Sequence, residues 1–304
     1  MDSITHIVTG AVIAGPVKDK LGWAGAAAVL AGSLAPDADL WLYFLGSDTY
    51  LKYHRVAANS LVGMMLVPLL VAWVVRKVSG FPDIKPIYLL VLSAYLVHVF
   101  MDLTNSYGSK LLWPFSQKWQ SLDIVFIVDP WISGLLLISL ALMLLKVKPM
   151  PVAVVCFSLL ICYWGLRYTA HERALGHFRA ENIDAVRVGA FPAPIDPFKW
   201  RMVAEYPDRY ILGWYEMRSQ AWSGTETIPK PPEIEAVEEA MTARAAKIFL
   251  DFARFPVTSY AKKDGGWTVS FRDLRFSFRP GDDRFKASVD IDATGRITGS
   301  GFHF

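Results

Sequence analysis

Six side chains in the first third of the sequence have the types and spacing of a metal site. His98 and Asp102 stand four residues apart in an apolar run, a spacing that puts an imidazole and a carboxylate on one helix face. Asp37 and Asp39 bracket Ala38 after Pro36, so an extended backbone projects two carboxylates from the end of a helix. His54, followed by Arg55, opens the approach to the next apolar run, and His6 lies one turn into the first. Imidazole nitrogens and carboxylates suit zinc, and manganese or iron also fit. Six ligands exceed what one tetrahedral ion with an open position needs. They are about right for two divalent ions, which hydrolases hold about 3.5–4 Å apart, and the cofactor expected is one or two such ions, zinc first. Taken singly, each piece has a plainer reading: a helix hydrogen bond, a packed histidine, a helix stop followed by a turn. Their convergence on one face favours the ion.

That convergence follows from the elements between them. Residues 4–17 and 22–35 are apolar and rich in Gly and Ala, with Lys18-Asp19-Lys20 between. They predict a closely packed helical hairpin whose small residues let the backbones approach, which returns the chain to the level of His6. Four further apolar runs, 61–75, 87–101, 124–145 and 151–166, read as membrane spans. Only 124–145 clearly reaches the roughly 20 residues that cross a bilayer. Alternating the spans places Lys18, Lys20, Arg76, Lys77, Lys85, Lys146 and Lys148 on one side, which the positive-inside rule makes cytoplasmic. The same alternation places His6, Asp37, Asp39, His54, His98, Asp102 and Asp123 at the other side. Ionisable groups at membrane depth are costly and face polar interiors, and a divalent ion would offset that cost. Trp41, Tyr43, Phe44, Trp113, Phe115 and Trp119 flank this end as interfacial anchors.

The expected fold is mainly α: a polytopic helical membrane bundle over residues 1–168, carrying the metal site, with a smaller soluble α+β domain over 169–304. In the latter, 171–188 reads as a helix leaving the membrane and 234–252 as a second helix with an acidic start at Glu233, Glu235, Glu238 and Glu239. Strands are expected at 200–205, 210–217, 257–261, 267–271, 274–278, 285–291 and 297–302. Residues 227–232 read as a Pro-rich connection, with turns at Asp264-Gly265-Gly266 and Ala293-Thr294-Gly295.

Composition sets outer limits. The 304 residues are 53% hydrophobic and 19% charged, with mean hydropathy +0.31, oilier than a soluble domain. A net charge of +3 without a basic stripe argues against nucleic acid as a partner. Cys156 and Cys162 lie six apart in one apolar run, too badly oriented on a helix for a disulfide. Met1-Asp2-Ser3 lacks the basic start of a secretory leader. Asp129, next to Pro130 within an apolar span, is expected to pair with Arg55, complete the metal site or make a structural contact. His171, His177 and His303 read as surface residues, with His171-Glu172 near enough to the membrane to act as a late ligand.

Several motifs resemble a known family. Thr5-His6 with Gly10, Pro36-Asp37-Ala38-Asp39, His54-Arg55 with Asn59-Ser60, His98 and Asp102, Asn105-Ser106-Tyr107-Gly108, Leu112 to Ser116, and Val128 to Trp131 are similar to the inner-membrane-associated metal-dependent hydrolases, a family also labelled LexA-binding. The resemblance covers roughly residues 1–170, and the C-terminal domain looks like an extension found in part of that family. More distantly, the ligand order resembles zinc-dependent phospholipase C. The resemblance implies a multi-pass protein of a bacterial-type inner membrane, with His6, Asp37, His54, His98 and Asp102 as metal ligands. A second histidine is usual shortly after the His-Arg pair, and this chain has Asn59 there, which puts any ion relying on that position in doubt.

These readings predict a membrane-embedded metal-dependent hydrolase of a phosphoester-type, membrane-lipid substrate. Asp39 would act as general base, and Arg55 would stabilise charge developing on phosphate. The site and C-terminal domain would be extracytoplasmic. The alternative is a non-enzymatic membrane scaffold or regulatory protein whose C-terminal domain binds a protein partner that the sequence does not identify.

Overall fold

A computed structural model describes residues 1–232, 234–263, 265–279, 282 and 285–303; Glu233 and Asp264, placed above in a helix start and a turn, lie outside them. The chain divides into two compact units. One comprises Met1–Trp41, Tyr53–Ala170 and Pro192–Pro197, the other Leu42–Lys52, His171–Phe191 and Phe198–Phe304.

The first unit is helical. Helix α1 (Ser3–Leu34) is broken at Gly22, whose φ of 65° is a left-handed conformation that glycine adopts without a Cβ clash. The break makes the expected hairpin: Ala14, Ala26 and Val29 pack together with Ala94 of helix α4 (Ile84–Thr104). The small residues are required by contact. A Cβ on Gly10 would lie 2.8 Å from that of Ser33, and one on Gly32 only 2.4 Å from the Val91 carbonyl oxygen. A 3-10 segment (Ala35–Leu45) follows the hairpin; its end and short helix α2 (Ser47–Tyr53) fall in the stretch Leu42–Lys52 of the second unit. Helix α3 (Leu61–Ser79) starts at Ser60, whose hydroxyl accepts from Gly63 N at 3.0 Å, and stops at left-handed Gly80.

Among the described residues, three helices are long and apolar enough to cross a membrane: α3, α4 and α6 (Pro149–Glu181). Span 124–145 differs from expectation. Only Pro130–Leu144 is helical (α5), 15 residues long, because Asp129 caps it by accepting from Trp131 N and Ile132 N at 3.0 and 3.1 Å. Pro130 therefore begins a helix, where its missing N–H costs nothing, instead of bending one.

In the second unit, strands β1 (Arg187–Pro192), β2 (Lys199–Glu205), β3 (Arg209–Glu216) and β4 (Ala221–Pro229) form one four-stranded antiparallel sheet. Strands β5 (Pro256–Lys263), β6 (Gly266–Asp273), β7 (Lys286–Ile291) and β8 (Ile297–His303) form another. Between them run helices α7 (Glu235–Thr242) and α8 (Arg244–Phe252), with Ala243 interrupting what reads as one helix. The strands of the expected α+β domain thus divide between two sheets. Strand β4 extends through Thr227–Pro229, read above as connection, and helix α6 ends at Glu181, leaving 187–188 to β1. Residues 274–276 form a 3-10 turn instead of a strand, pinned by Asp273, which accepts from Arg275 N at 3.0 Å. Phe191, Val203, Leu212, Phe255 and Val257 form a core in this unit.

Candidate metal centre

Three helical segments bring the chemistry to one end of the first unit. Ser33, closing the second arm of α1, ties both histidines: its hydroxyl donates to the His6 carbonyl at 2.7 Å, and its own carbonyl accepts from His98 Nδ1 at 2.7 Å. The second bond fixes the tautomer of His98, because a carbonyl only accepts. The proton sits on Nδ1, which leaves Nε2 as the nitrogen turned to the carboxylates. That nitrogen lies 3.2 Å from Asp102 Oδ2 and 3.5 Å from Asp37 Oδ1, yet it makes no hydrogen bond with either. His6 stacks on His98 with ring centroids 3.5 Å apart and turns its own Nε2 to Asp102 Oδ1 at 3.1 Å. All four side chains are buried.

His6, Asp37 and His98 form a group whose ligand atoms all lie within 4.8 Å of one another, so one cation can reach all three. Asp37 turns Oδ1 toward His98 Nε2. Ser3 Oγ donates to its other oxygen at 2.9 Å. The donor set fits a divalent ion: two imidazoles, a carboxylate beside them, and a fully buried ring nitrogen of His98 with no hydrogen-bond partner.

Asp102 is the hub. Arg55 reaches it at 2.7 Å, Asn59 Nδ2 donates to it at 2.8 Å, and the Met1 amine contacts it. Arg55 itself adopts a left-handed φ of 59°, unusual for a residue with a side chain. It also donates to the Met1 carbonyl at 2.8 Å and Asn105 Oδ1 at 3.3 Å, with its guanidinium over the Tyr107 ring. Asn59, in place of the histidine expected near the His-Arg pair, donates its amide N–H to the hub carboxylate.

His54 and Asp39 pair with each other, Nδ1 to Oδ1 at 2.9 Å. Asp129 belongs elsewhere: besides capping α5, it accepts from Tyr163 at 3.0 Å, so it is a structural contact. Asp123 accepts from Ser121 Oγ at 2.9 Å. His171 corrects the surface reading, being buried with Nε2 3.2 Å from the Ala190 carbonyl oxygen. His177 pairs with Glu181 and His303 with Ser288, both in exposed settings. Ser33 escaped the sequence reading, since an isolated serine near a helix end carries no motif.

A family model described as YdjM inner membrane protein matches residues 1–174, the stretch holding every residue of this centre. The uncharacterized protein YfhP of Bacillus subtilis strain 168 is 26% identical over 321 residues, covering 100% of this chain and 96% of that relative. No solved structure matches.

Proposed function

We propose that this chain, which belongs to the YdjM inner membrane protein family, is a membrane-embedded metal-dependent hydrolase acting on a phosphoester carried by a membrane lipid. The observation behind the reading is His98 Nε2, a buried ring nitrogen oriented by the Ser33 carbonyl, which faces two carboxylates and has no hydrogen-bond partner. His6, Asp37 and His98 would hold one ion, zinc by donor type, with Asp102 beside them. Nothing comparable supports a second ion, because His54 and Asp39 engage each other and Asn59 donates to Asp102.

When bound, the ion would polarise a phosphoryl oxygen and make bound water a nucleophile near neutral pH. The chain's residues account for the rest. The Asp39 carboxylate fixes the His54 ring through Nδ1, the arrangement that readies an imidazole for proton transfer. The Arg55 guanidinium supplies a permanent charge next to the ligands, suited to charge developing on phosphate. We place the site and the C-terminal domain on the extracytoplasmic side, since Lys18, Lys20, Arg76, Lys77, Lys85, Lys146 and Lys148 all lie at the opposite ends of their helices.

The test uses the full chain purified in detergent with added zinc or manganese. Elemental analysis should give about one ion per chain, and a chelator should abolish hydrolysis of a bis-nitrophenyl phosphate or a phospholipid. Asp39→Asn should retain the ion and lose activity by about 10²–10⁴-fold. A protein that holds no ion under these conditions would refute the hydrolase and return the chain to a scaffold role.

A further inference from the structure

A second feature extends from the lysine-bearing end of the helical unit to mid-helix. A groove of about 630 Å³ runs between the first arm of α1, helix α4 and the start of α6. Its walls are apolar, among them Ile13, Val17, Leu90, Val97, Ala153 and Phe157, and Lys20 is the one charged side chain lining it. Its size lies within the roughly 300–1,000 Å³ range of small-ligand sites. At about 1.5 Å per residue, Lys20 stands about 21 Å along the arm from His6. On α4 the lining residues precede His98, so the groove opens at the lysine-bearing end.

That end is built for a headgroup region. Lys18 lies 3.9 Å from the centroid of the exposed Trp23 ring, a cation–aromatic pair suited to a membrane interface. Lys148 is exposed two residues before Met150, which also lines the groove. Asp19 is the one acid in the turn that carries Lys18 and Lys20.

We propose that this groove binds one anionic phospholipid from the cytoplasmic leaflet, an acyl chain lying along the apolar walls and the phosphate held by Lys20. Charge complementarity selects this occupant. A zwitterionic lipid would fill the walls equally but bring no net charge to the lysine rim, and an apolar helix from a second copy would leave the rim unanswered.

Native mass spectrometry of the full chain, titrated with dioleoyl-phosphatidylglycerol or dioleoyl-phosphatidylcholine, tests this. The wild type should retain one phosphatidylglycerol about fivefold better than phosphatidylcholine, the factor expected from one lysine near an anionic headgroup. Lys20→Gln should remove the preference while leaving phosphatidylcholine retention unchanged. Ser93→Trp, at an exposed lining position, should lower retention of both lipids. Met150→Trp, exposed on the first turn of α6, blocks the same groove from the other wall and serves if the Ser93 variant fails to fold. Equal retention of the two lipids by the wild type, or a preference that survives Lys20→Gln, would overturn the proposal. So would a concentration-dependent dimer that Ser93→Trp abolishes, because it would give the groove to a second copy.

Discussion

Chelation and two substitutions separate the metal role of the His98–Asp102 pair from its structural role. Asp102 is fully buried and receives Arg55 at 2.7 Å and Asn59 at 2.8 Å. Removing its charge as Asp102→Asn strands the equally buried Arg55, and breaking a buried ion pair costs about 3–5 kcal/mol whether or not an ion is present. An ion adds a contribution that depends on its free concentration, about 4 kcal/mol at a thousandfold excess over Kd. His98→Ala strands no charge. It leaves the Ser33 carbonyl without its donor, worth about 1–3 kcal/mol, and it removes a ligand. The wild type should therefore lose about 4 kcal/mol on chelation, while His98→Ala should start lower and barely respond. Asp102→Asn should lie lowest of the three yet still respond to the chelator, because His6, Asp37 and His98 remain. The assay is unfolding of each purified protein in the same detergent, with excess zinc and with chelator, alongside elemental analysis. If the chelator leaves the wild-type melt unmoved, there is no ion to bind. If it shifts wild type and His98→Ala equally, the ion sits elsewhere and the ligand assignment fails.

Three further outcomes follow from the same structure. Gly32→Ala places a Cβ 2.4 Å from the Val91 carbonyl oxygen, so α1 and α4 must separate, at a cost of about 1–3 kcal/mol. Metal content should fall with it, whereas Gly134→Ala, which meets nothing within 4 Å, should change neither. In the C-terminal unit, burial works to raise the Asp273 carboxyl, but the Arg275 ion pair and backbone donors outweigh it and leave the group below its ordinary value of 3.8. Its contribution is thus complete above that value and lost as pH falls through the folded one, so acid unfolding followed by circular dichroism should be steeper below pH 3.8 for wild type than for Asp273→Asn. A reporter fused after Lys148 should read cytoplasmic and one at the C-terminus extracytoplasmic; the opposite result at both positions would invert the orientation.

Legibility followed periodicity. The hairpin was readable because Gly10, Gly32 and the alanines between them recur where two helices must touch. Two of the four later spans appear near their predicted limits, and the run 151–166 is the first half of α6, since long apolar runs leave few alternatives to a helix. The fourth was misread because hydropathy does not register a cap: 124–129 is as apolar as the helix after it, and only Asp129-Pro130 marks where the helix begins. The soluble unit was harder. Strand β1 was absorbed into the end of a helix. Strand β4, largely exposed along its length, shows no alternation because no face of it is consistently buried.

The site divides along the same line. His98 and Asp102 were legible because four residues on a helix have one geometric meaning, and both meet at the centre. His6 and Asp37 followed once the hairpin set the level of its two ends. His54, Asp39 and Arg55 lie in 35–60, where short helices and turns carry no periodic rule. Their types suggested ligands, but type alone cannot tell a carboxylate facing an ion from one facing an imidazole. The structure pairs Asp39 with His54 and gives Arg55 a left-handed backbone that turns its guanidinium onto Asp102. Such a conformation is held only where surrounding contacts compensate for it. Here those contacts are Asp102, Asn105 and the Met1 carbonyl. Strain at this one residue, in direct contact with the hub carboxylate, is what a site would retain if the position of that positive charge mattered more than the local stability of the loop.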